Sequence, residues 1–220
     1  MWVQATPVFG LLFSQLSLLT MAEQPNVLTY LVAANVRVVR HMVTNYEPEH
    51  RLIARCCVHS QGNMIAHVKN LQGLRSLEEL HLSNQRLPPD TGLTFEVTSM
   101  HAVSGTLRTL VAAGCGIGDE AAAMLPPLPQ LRKLDLSNNQ MEIVECLEVA
   151  MRSADRLTLV ELHGNPFCKA YGAPQKYRDA VILMSDSMTR LDGEEVTQAQ
   201  RAFLLRFQLQ KLKVSAANGC

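Results

Sequence analysis

One pattern of apolar residues recurs in the middle of the chain, and it restricts the fold more than any other feature of the sequence. Each copy has apolar residues at its first, fourth, sixth and eleventh positions and a cysteine or an amide residue at the ninth. A regular period of this kind is typical of solenoids, in which each unit stacks on the next. The four copies are Leu77-Leu80-Leu82-Gln85-Leu87, Leu107-Leu110-Ala112-Cys115-Ile117, Leu131-Leu134-Leu136-Asn139-Met141 and Leu157-Val160-Leu162-Asn165-Phe167.

The copies start 30, 24 and 26 residues apart, inside or just above the length of about 20 to 29 residues that is usual for leucine-rich repeats. Side chains alternate along a strand, so the leucines face the core and the residues between them face outward. One unit cannot bury its apolar face alone, and neighbours therefore stack. The sequence predicts an α/β leucine-rich repeat solenoid, with a curved parallel sheet on the concave side and helices or turns on the convex side.

The residue at the ninth position is expected to bond to the backbone where the chain turns away from the strand. The chain must then return along the convex side. Asp119 begins a predicted N-capped helical turn that ends at Pro126. The spacing of apolar residues predicts a full helix over 143–154, and 88–105 is predicted to be a loop followed by a short helix through Met100.

Repeat quality and composition divide the rest of the chain. Residues 1–22, which contain no charged residue, are either a leader or a spurious N-terminal extension, with Met21 as the alternative start. Residues 23–70 carry degenerate repeats. The repeats proper are predicted over 71–168, a C-terminal cap over 169–213, and a frayed tail over 214–220.

Two worn copies of the repeat are visible within the degenerate segment. The clearer one has Val58, Asn63 and Ile65 at template positions, and an older one lies at Leu28-Leu31 with Asn35. In the cap, helical spacing is predicted around Tyr177 and Val181, followed by a turn at Asp192-Gly193. A final helix is predicted to carry Val196, Ala199, Phe203 and Phe207 on one side.

Charge and cysteine content narrow the function classes. The chain has 20 Lys+Arg and 20 Asp+Glu, and a net charge of zero argues against non-specific binding to nucleic acid. The apolar N-terminal segment is shorter than the ~20 residues that a membrane-spanning helix needs. The six cysteines show no CxxC spacing, so we expect reduced thiols in the cytoplasm, no metal site and no cofactor.

No recognisable motif pairs a nucleophile with a base, and the sequence predicts a protein that is not an enzyme. Cys57 with His59 is the one thiolate–imidazole alternative, although such pairs are mostly structural. Outward positions of the predicted strands instead form rows across a concave face, where Lys133, Asp135 and Glu161 would give a patch of mixed charge. The predicted protein-binding residues are Glu79, His81, Ser83, Thr109, Val111, Lys133, Asp135, Ser137, Leu159, Glu161 and His163. The alternative for this face is an ordinary solvated surface.

Two sets of residues carry a family resemblance. Leu191-Asp192-Gly193 after Tyr177-Arg178-Asp179 resembles the C-terminal cap of intracellular leucine-rich repeat proteins, among them a phosphatase-1 regulator, an axonemal dynein light chain and a spliceosomal A-prime protein. Residues 80–88, with 164–168, 176–179 and 201–204, are similar to the protein phosphatase 1 regulatory subunit 42 family. The likeness covers about residues 64–207.

This resemblance implies a non-enzymatic regulatory or targeting subunit that binds the catalytic subunit of protein phosphatase 1. It also implies association with microtubules, centrosomes or the bases of cilia and flagella, and so a place in the cytoplasm and cytoskeleton. The chain departs from the family in its degenerate residues 28–63 and in lacking the short phosphatase-docking motif. Two alternatives stay open: an axonemal or basal-body component that binds tubulin or a dynein chain without a phosphatase, and an RNA-associated scaffold.

Overall fold

A parallel sheet runs through the repeats, as the leucine spacing predicts. The computed structural model describes residues 37–42, 54–170 and 174–217. Within them, eight strands form one sheet in the order β1-β2-β4-β6-β7-β8-β9-β10, parallel from β2 to β9 and antiparallel at both edges. These strands are β1 (Arg37–Met42), β2 (Ala54–His59), β4 (Leu77–His81), β6 (Thr109–Val111), β7 (Lys133–Asp135), β8 (Leu159–Glu161), β9 (Arg190–Leu191) and β10 (Glu194–Glu195).

The register of the sheet is the one that the repeat alignment predicts. Leu110 is opposite Leu134 and Leu134 is opposite Val160, and all three are fully buried. Their neighbours in sequence alternate to the other face and are half-buried. Parallel strands lie ~4.8 Å apart, so equivalent residues of successive repeats stack into continuous rows.

The side chains at the ninth positions bind each repeat to the one before it, which confirms the role predicted for this position. Asn139 accepts hydrogen bonds from the backbone N–H groups of Cys115 and Ile117 and donates to the carbonyls of Ala112 and Leu136. Asn165 and Gln85 bridge neighbouring repeats in the same way. The Cys115 thiol donates to the carbonyl of Leu82 at 3.2 Å. These buried amides satisfy the backbone groups that the turns leave unpaired.

The convex side differs from the prediction in three places. The predicted helical turn after Gly118 is α2 (Asp119–Ala123), and the Asp119 carboxylate accepts from the N–H groups of Glu142 and Ile143 instead of capping its own helix. The full helix predicted over 143–154 is a 3-10 turn (Val144–Leu147) followed by α3 (Glu148–Arg152). Ile143, which the helical spacing places on the buried face, precedes this turn and is 52% exposed, so the prediction is wrong for this residue.

The third difference is in the longest return segment. Residues 88–105 contain β5 (Thr94–Phe95) and α1 (Val97–Val103), and the helix therefore continues past Met100. Strand β5 pairs in parallel with β3 (His67–Val68) to form a second, two-stranded sheet. The sequence pattern did not predict this pairing, because two residues are too few to show an alternation.

The C-terminal elements cover the end of the solenoid. They comprise α4 (Phe167–Ala170), α5 (Pro174–Met184), β9, β10 and α6 (Gln198–Ala217). The motif residues of the cap contact one another: the Tyr177 hydroxyl donates to the Asp192 carboxylate at 2.6 Å, and Arg178 donates to the Leu191 carbonyl at 2.8 Å. Arg201 of α6 donates to the carbonyls of Ile182, Ser185 and Met188.

The predicted packing face of the last helix is correct at Val196, which is buried, and wrong at its other three residues. Phe203 and Phe207 are 67% and 49% exposed, and Ala199 is exposed, whereas Leu204 is buried. The rings of Phe203 and Phe207 stack on each other on the exposed side of the helix, with centroids 6.3 Å apart. The helix also runs through most of the predicted tail, to Ala217.

Some predictions concern residues that lie outside the described ones. These are the segment 1–22, the worn copy at Leu28-Leu31 with Asn35, and the last residues of the tail. The clearer worn copy is described in part: Val58 is buried on β2, which pairs in parallel with β4. No helix in the described ranges is long and apolar enough to cross a membrane.

Candidate protein-binding face

Two rows of the predicted binding residues lie on one face of the sheet. In the first row Glu79, Thr109, Lys133 and Leu159 are successive neighbours across the strands, and Arg190 of β9 extends it. In the second row His81, Val111, Asp135 and Glu161 are neighbours in the same way. All eight predicted residues are half-buried, as the short, closely spaced side chains of a parallel sheet allow. We call these two rows the concave face.

The third predicted row is less open than the spacing indicates. Ser83 and Ser137 are only 8% and 3% exposed. The Ser137 hydroxyl donates to the Asp135 carboxylate at 2.8 Å, and the Ser83 hydroxyl accepts from the N–H of Ala113 at 3.3 Å. The hydroxyl of Ser137 is therefore bonded within its repeat and that of Ser83 to the next repeat, and His163 is the exposed member of this predicted row.

Acidic groups outnumber basic ones on the predicted face. Glu79 lies on β4, and Asp135 and Glu161 lie on β7 and β8. Lys133 is the single lysine or arginine among the eleven predicted residues, and it forms no ion pair within the described segments. The predicted patch of mixed charge is therefore present on adjacent strands, with a negative excess.

Asp192 closes the C-terminal end of the face. One of its carboxylate oxygens accepts from the backbone N–H groups of Leu162 and His163, at 2.6 and 2.9 Å. The other accepts from the Tyr177 hydroxyl, and burial together with this contact raises the pKa of Tyr177. His163 Nδ1 lies 3.6 Å from both Glu161 and Asp192. Asp192 thus fixes the cap to the last strand of the repeats.

At the opposite end, two histidines stack. His59 of β2 is opposite His81 of β4, with ring centroids 4.4 Å apart and ring planes 12° apart. His81 Nε2 lies 3.2 Å from a Glu79 carboxylate oxygen. Burial, and then the neighbouring His81, lower the pKa of His59. The alignment of the worn repeat with the first good repeat places both histidines in one row, but cysteine and histidine spacing along the sequence gave no indication of this cluster.

The buried thiols are poorly suited to nucleophilic chemistry. Burial raises the pKa of Cys115 and Cys168 and raises that of Cys146 to about 12. The thiolate is the reactive form of cysteine, so these three side chains are protonated near neutral pH. Cys57 lies two residues before His59 and opposite Glu79, on the same strand face.

The register of the strands and the amide bridges between them define the fold class: the chain has a leucine-rich repeat fold. The family model described as Leucine Rich Repeat matches residues 130–149, which include Leu134 and Asn139. A 97-residue stretch is 35% identical to the U2 small nuclear ribonucleoprotein A' of Eremothecium gossypii and covers 44% of this chain. It spans 38% of that relative's length.

Two solved structures show a looser similarity. The SNF/U2A' complex of Drosophila melanogaster gives a TM-score of 0.48 at 17% identity, over 84% of this chain and 94% of that one. The tropomodulin C-terminal domain of Caenorhabditis elegans gives a TM-score of 0.36 at 13% identity, over 56% of this chain and 80% of that one. The fold assignment rests on the repeat and its register. The resemblance to the protein phosphatase 1 regulatory subunit 42 family stays a prediction.

Proposed function

We propose that the protein is a non-enzymatic scaffold of a ribonucleoprotein assembly, and that its concave face binds a protein with a basic surface. The observation that carries the proposal is the 35% identity, over 97 residues, to the U2 small nuclear ribonucleoprotein A'. The proposed contact residues are those of the two half-buried rows, because their side chains remain open while the leucines between them form the core.

The charge of the face supports a protein partner over a nucleic acid. Three carboxylates, on Glu79, Asp135 and Glu161, accompany two cationic side chains, those of Lys133 and of Arg190 at the end of its row. Binding to a phosphate backbone depends on clustered lysine and arginine, which this face lacks. An acidic concave surface attracts a basic protein surface and speeds its association, and the attraction weakens as salt is added.

A charge reversal with a matched control tests this proposal. Glu161→Lys places a cation on the concave face, whereas Glu142→Lys makes the same change at an exposed position of a return segment. Tagged full-length protein would be purified from cells under mild salt and its partners quantified by mass spectrometry. We expect ribonucleoprotein components with the native protein and Glu142→Lys and at least tenfold less with Glu161→Lys. Equal recovery from both variants would contradict binding through this face.

A second candidate function rests on a different observation. Residues 80–88 and 176–179 resemble the protein phosphatase 1 regulatory subunit 42 family, which supports a regulatory or targeting subunit on the microtubule cytoskeleton. The same purification separates the candidates. Recovery of the phosphatase catalytic subunit would favour this function, and tubulin or a dynein chain without it would favour a structural axonemal role. A nuclear position of the protein in cells would favour the ribonucleoprotein role over both.

A further inference from the structure

We propose that His59, Glu79 and His81 form a binding site for one divalent transition-metal ion, with Zn²⁺ as the best fit. The site lies where the worn repeat meets the first well-formed one. It is independent of the partner proposed above, because it requires only the positions of strands β2 and β4.

The backbone places these side chains together. Strands β2 and β4 are parallel, with His59 opposite His81 and Cys57 opposite Glu79. Alternate residues of a strand share a face, and neighbouring strands are ~4.8 Å apart, so these four positions form the corners of a small square. One ligand atom each of His59, Glu79 and His81 lies within 4.8 Å of the other two.

The donor set suits zinc. Two imidazole nitrogens and one carboxylate oxygen are a known catalytic-type zinc ligand set, which leaves a fourth position open. Tetrahedral bonds of about 2.0 Å place neighbouring ligand atoms about 3.3 Å apart. His81 Nε2 and the Glu79 oxygen already lie 3.2 Å apart. The His59 ring, stacked on that of His81, must move its nitrogen closer by up to about 1.5 Å, which a small side-chain rotation supplies.

The site is accessible from the concave side. All three residues are half-buried, and the side chain of Glu79 is 44% exposed, so a metal ion can enter without unfolding the sheet. A water molecule can complete the coordination at the fourth position. The two imidazole ligands favour zinc over magnesium or calcium, which prefer oxygen ligands.

The second cluster of this composition makes a contrast. Glu161, His163 and Asp192 also bring ligand atoms within 4.8 Å of one another. There, however, both Asp192 oxygens accept hydrogen bonds, from two backbone N–H groups and from Tyr177. A metal ion would have to displace the bonds that fix the cap. This cluster therefore provides the matched control for the proposed site.

Metal binding would have a structural consequence. An ion held by His59 and by the pair from β4 cross-links two strands that are 22 positions apart in sequence, as the register His59 to His81 shows. A ligand that binds only the folded state stabilises it by mass action. We therefore expect Zn²⁺ to raise the melting temperature of the full-length protein, most strongly for the N-terminal repeats.

The test uses full-length protein freed of metal by a chelator and titrated with Zn²⁺ in a calorimeter. We expect one ion per chain, with affinity reduced at least tenfold by His59→Gln and by Glu79→Gln and unchanged by the control His163→Gln. Circular dichroism without metal would establish that each variant is folded. Wild-type affinity in both His59→Gln and Glu79→Gln, or loss of binding in His163→Gln alone, would overturn the proposal.

A spectroscopic measurement on the unaltered protein does not depend on the variants. Zinc-edge X-ray absorption should show two imidazoles in the first shell. A shell of sulfur ligands without imidazole would place the ion on cysteines elsewhere and overturn the proposal. So would the absence of binding at a tenfold excess of Zn²⁺ over protein.

Discussion

Removing the amide of Asn139 should destabilise the repeats severely. Asn139 is 2% exposed, and its side-chain oxygen accepts from the N–H groups of Cys115 at 2.9 Å and Ile117 at 3.1 Å. Its amide nitrogen donates to the carbonyls of Ala112 and Leu136, both at 2.9 Å. Replacement by alanine removes these four hydrogen bonds and a fifth, to the carbonyl of Ser137, and it leaves a cavity that the closely packed surroundings fill only in part.

The magnitude follows from the groups that remain unpaired. Each buried donor without a partner costs about 1 to 3 kcal/mol, and Asn139→Ala leaves two such N–H groups. Each carbonyl oxygen has a second lone pair that can accept another hydrogen bond, so losing the bonds to the carbonyls adds less to the cost. We expect the free energy of unfolding to fall by about 3 to 5 kcal/mol, a large part of the about 5 to 15 kcal/mol that stabilises an ordinary domain.

Urea unfolding followed by circular dichroism measures this change. The control is Gln140→Ala, since Gln140 is exposed and its backbone N–H bond to Ile117 survives the substitution. Its effect should stay within about 0.5 kcal/mol, as for most surface changes. If the free energies of unfolding of Asn139→Ala and Gln140→Ala differ by less than about 0.5 kcal/mol, the amide does not bridge the repeats. That result would refute the role assigned to the ninth position.

Two further substitutions test the core and the cap. Leu134→Asp buries an unpaired charge at a position with no exposure, so the cooperative thermal transition of the neighbouring repeats should disappear, whereas Arg132→Asp on the surface should leave it in place. An unchanged melting curve for Leu134→Asp would show that the assigned register is wrong. Tyr177→Phe removes a hydrogen bond to the Asp192 carboxylate and should lower the free energy of unfolding by about 1 to 3 kcal/mol in the same urea assay. An unchanged value would mean that this bond does not hold the cap.

The repeat strands could be predicted from the sequence because their physics is local. Alternation along a strand fixes which leucines are buried, and Leu110, Leu134 and Val160 lie where the template puts them. The amide at the ninth position is equally constrained, because a buried turn must satisfy its backbone groups. These features depend on neighbours in the chain and on one repeated contact between units.

The convex helices and the last helix were harder to predict because their environment depends on distant elements. Ile143 fits a helical apolar face, yet the chain forms a 3-10 turn that begins after it. Phe203 and Phe207 fit the spacing of a packed helix, yet both side chains are exposed among the described residues. A pattern of apolar residues indicates which face could be buried, but it does not show whether another element is there to bury it.

Only those residues of the concave face that follow the repeat template could be predicted from the sequence. The two concave rows follow from the template, whereas the burial of Ser83 and Ser137 depends on hydrogen bonds that a template does not contain. The histidine cluster combines a worn repeat with a good one across an interval of 22 residues. Motif spacing along the sequence cannot detect ligands that meet only through the pairing of two strands.

Cross-linking on the native assembly tests the central claim most directly, because it reports which face meets a partner. A zero-length reagent that joins carboxylates to lysines would be applied to tagged protein purified from cells, and the linked peptides would be identified by mass spectrometry. We predict links from partner lysines to Glu79, Asp135 or Glu161 on the concave face. Links confined to Glu142 and other acidic residues of the return segments would contradict the account.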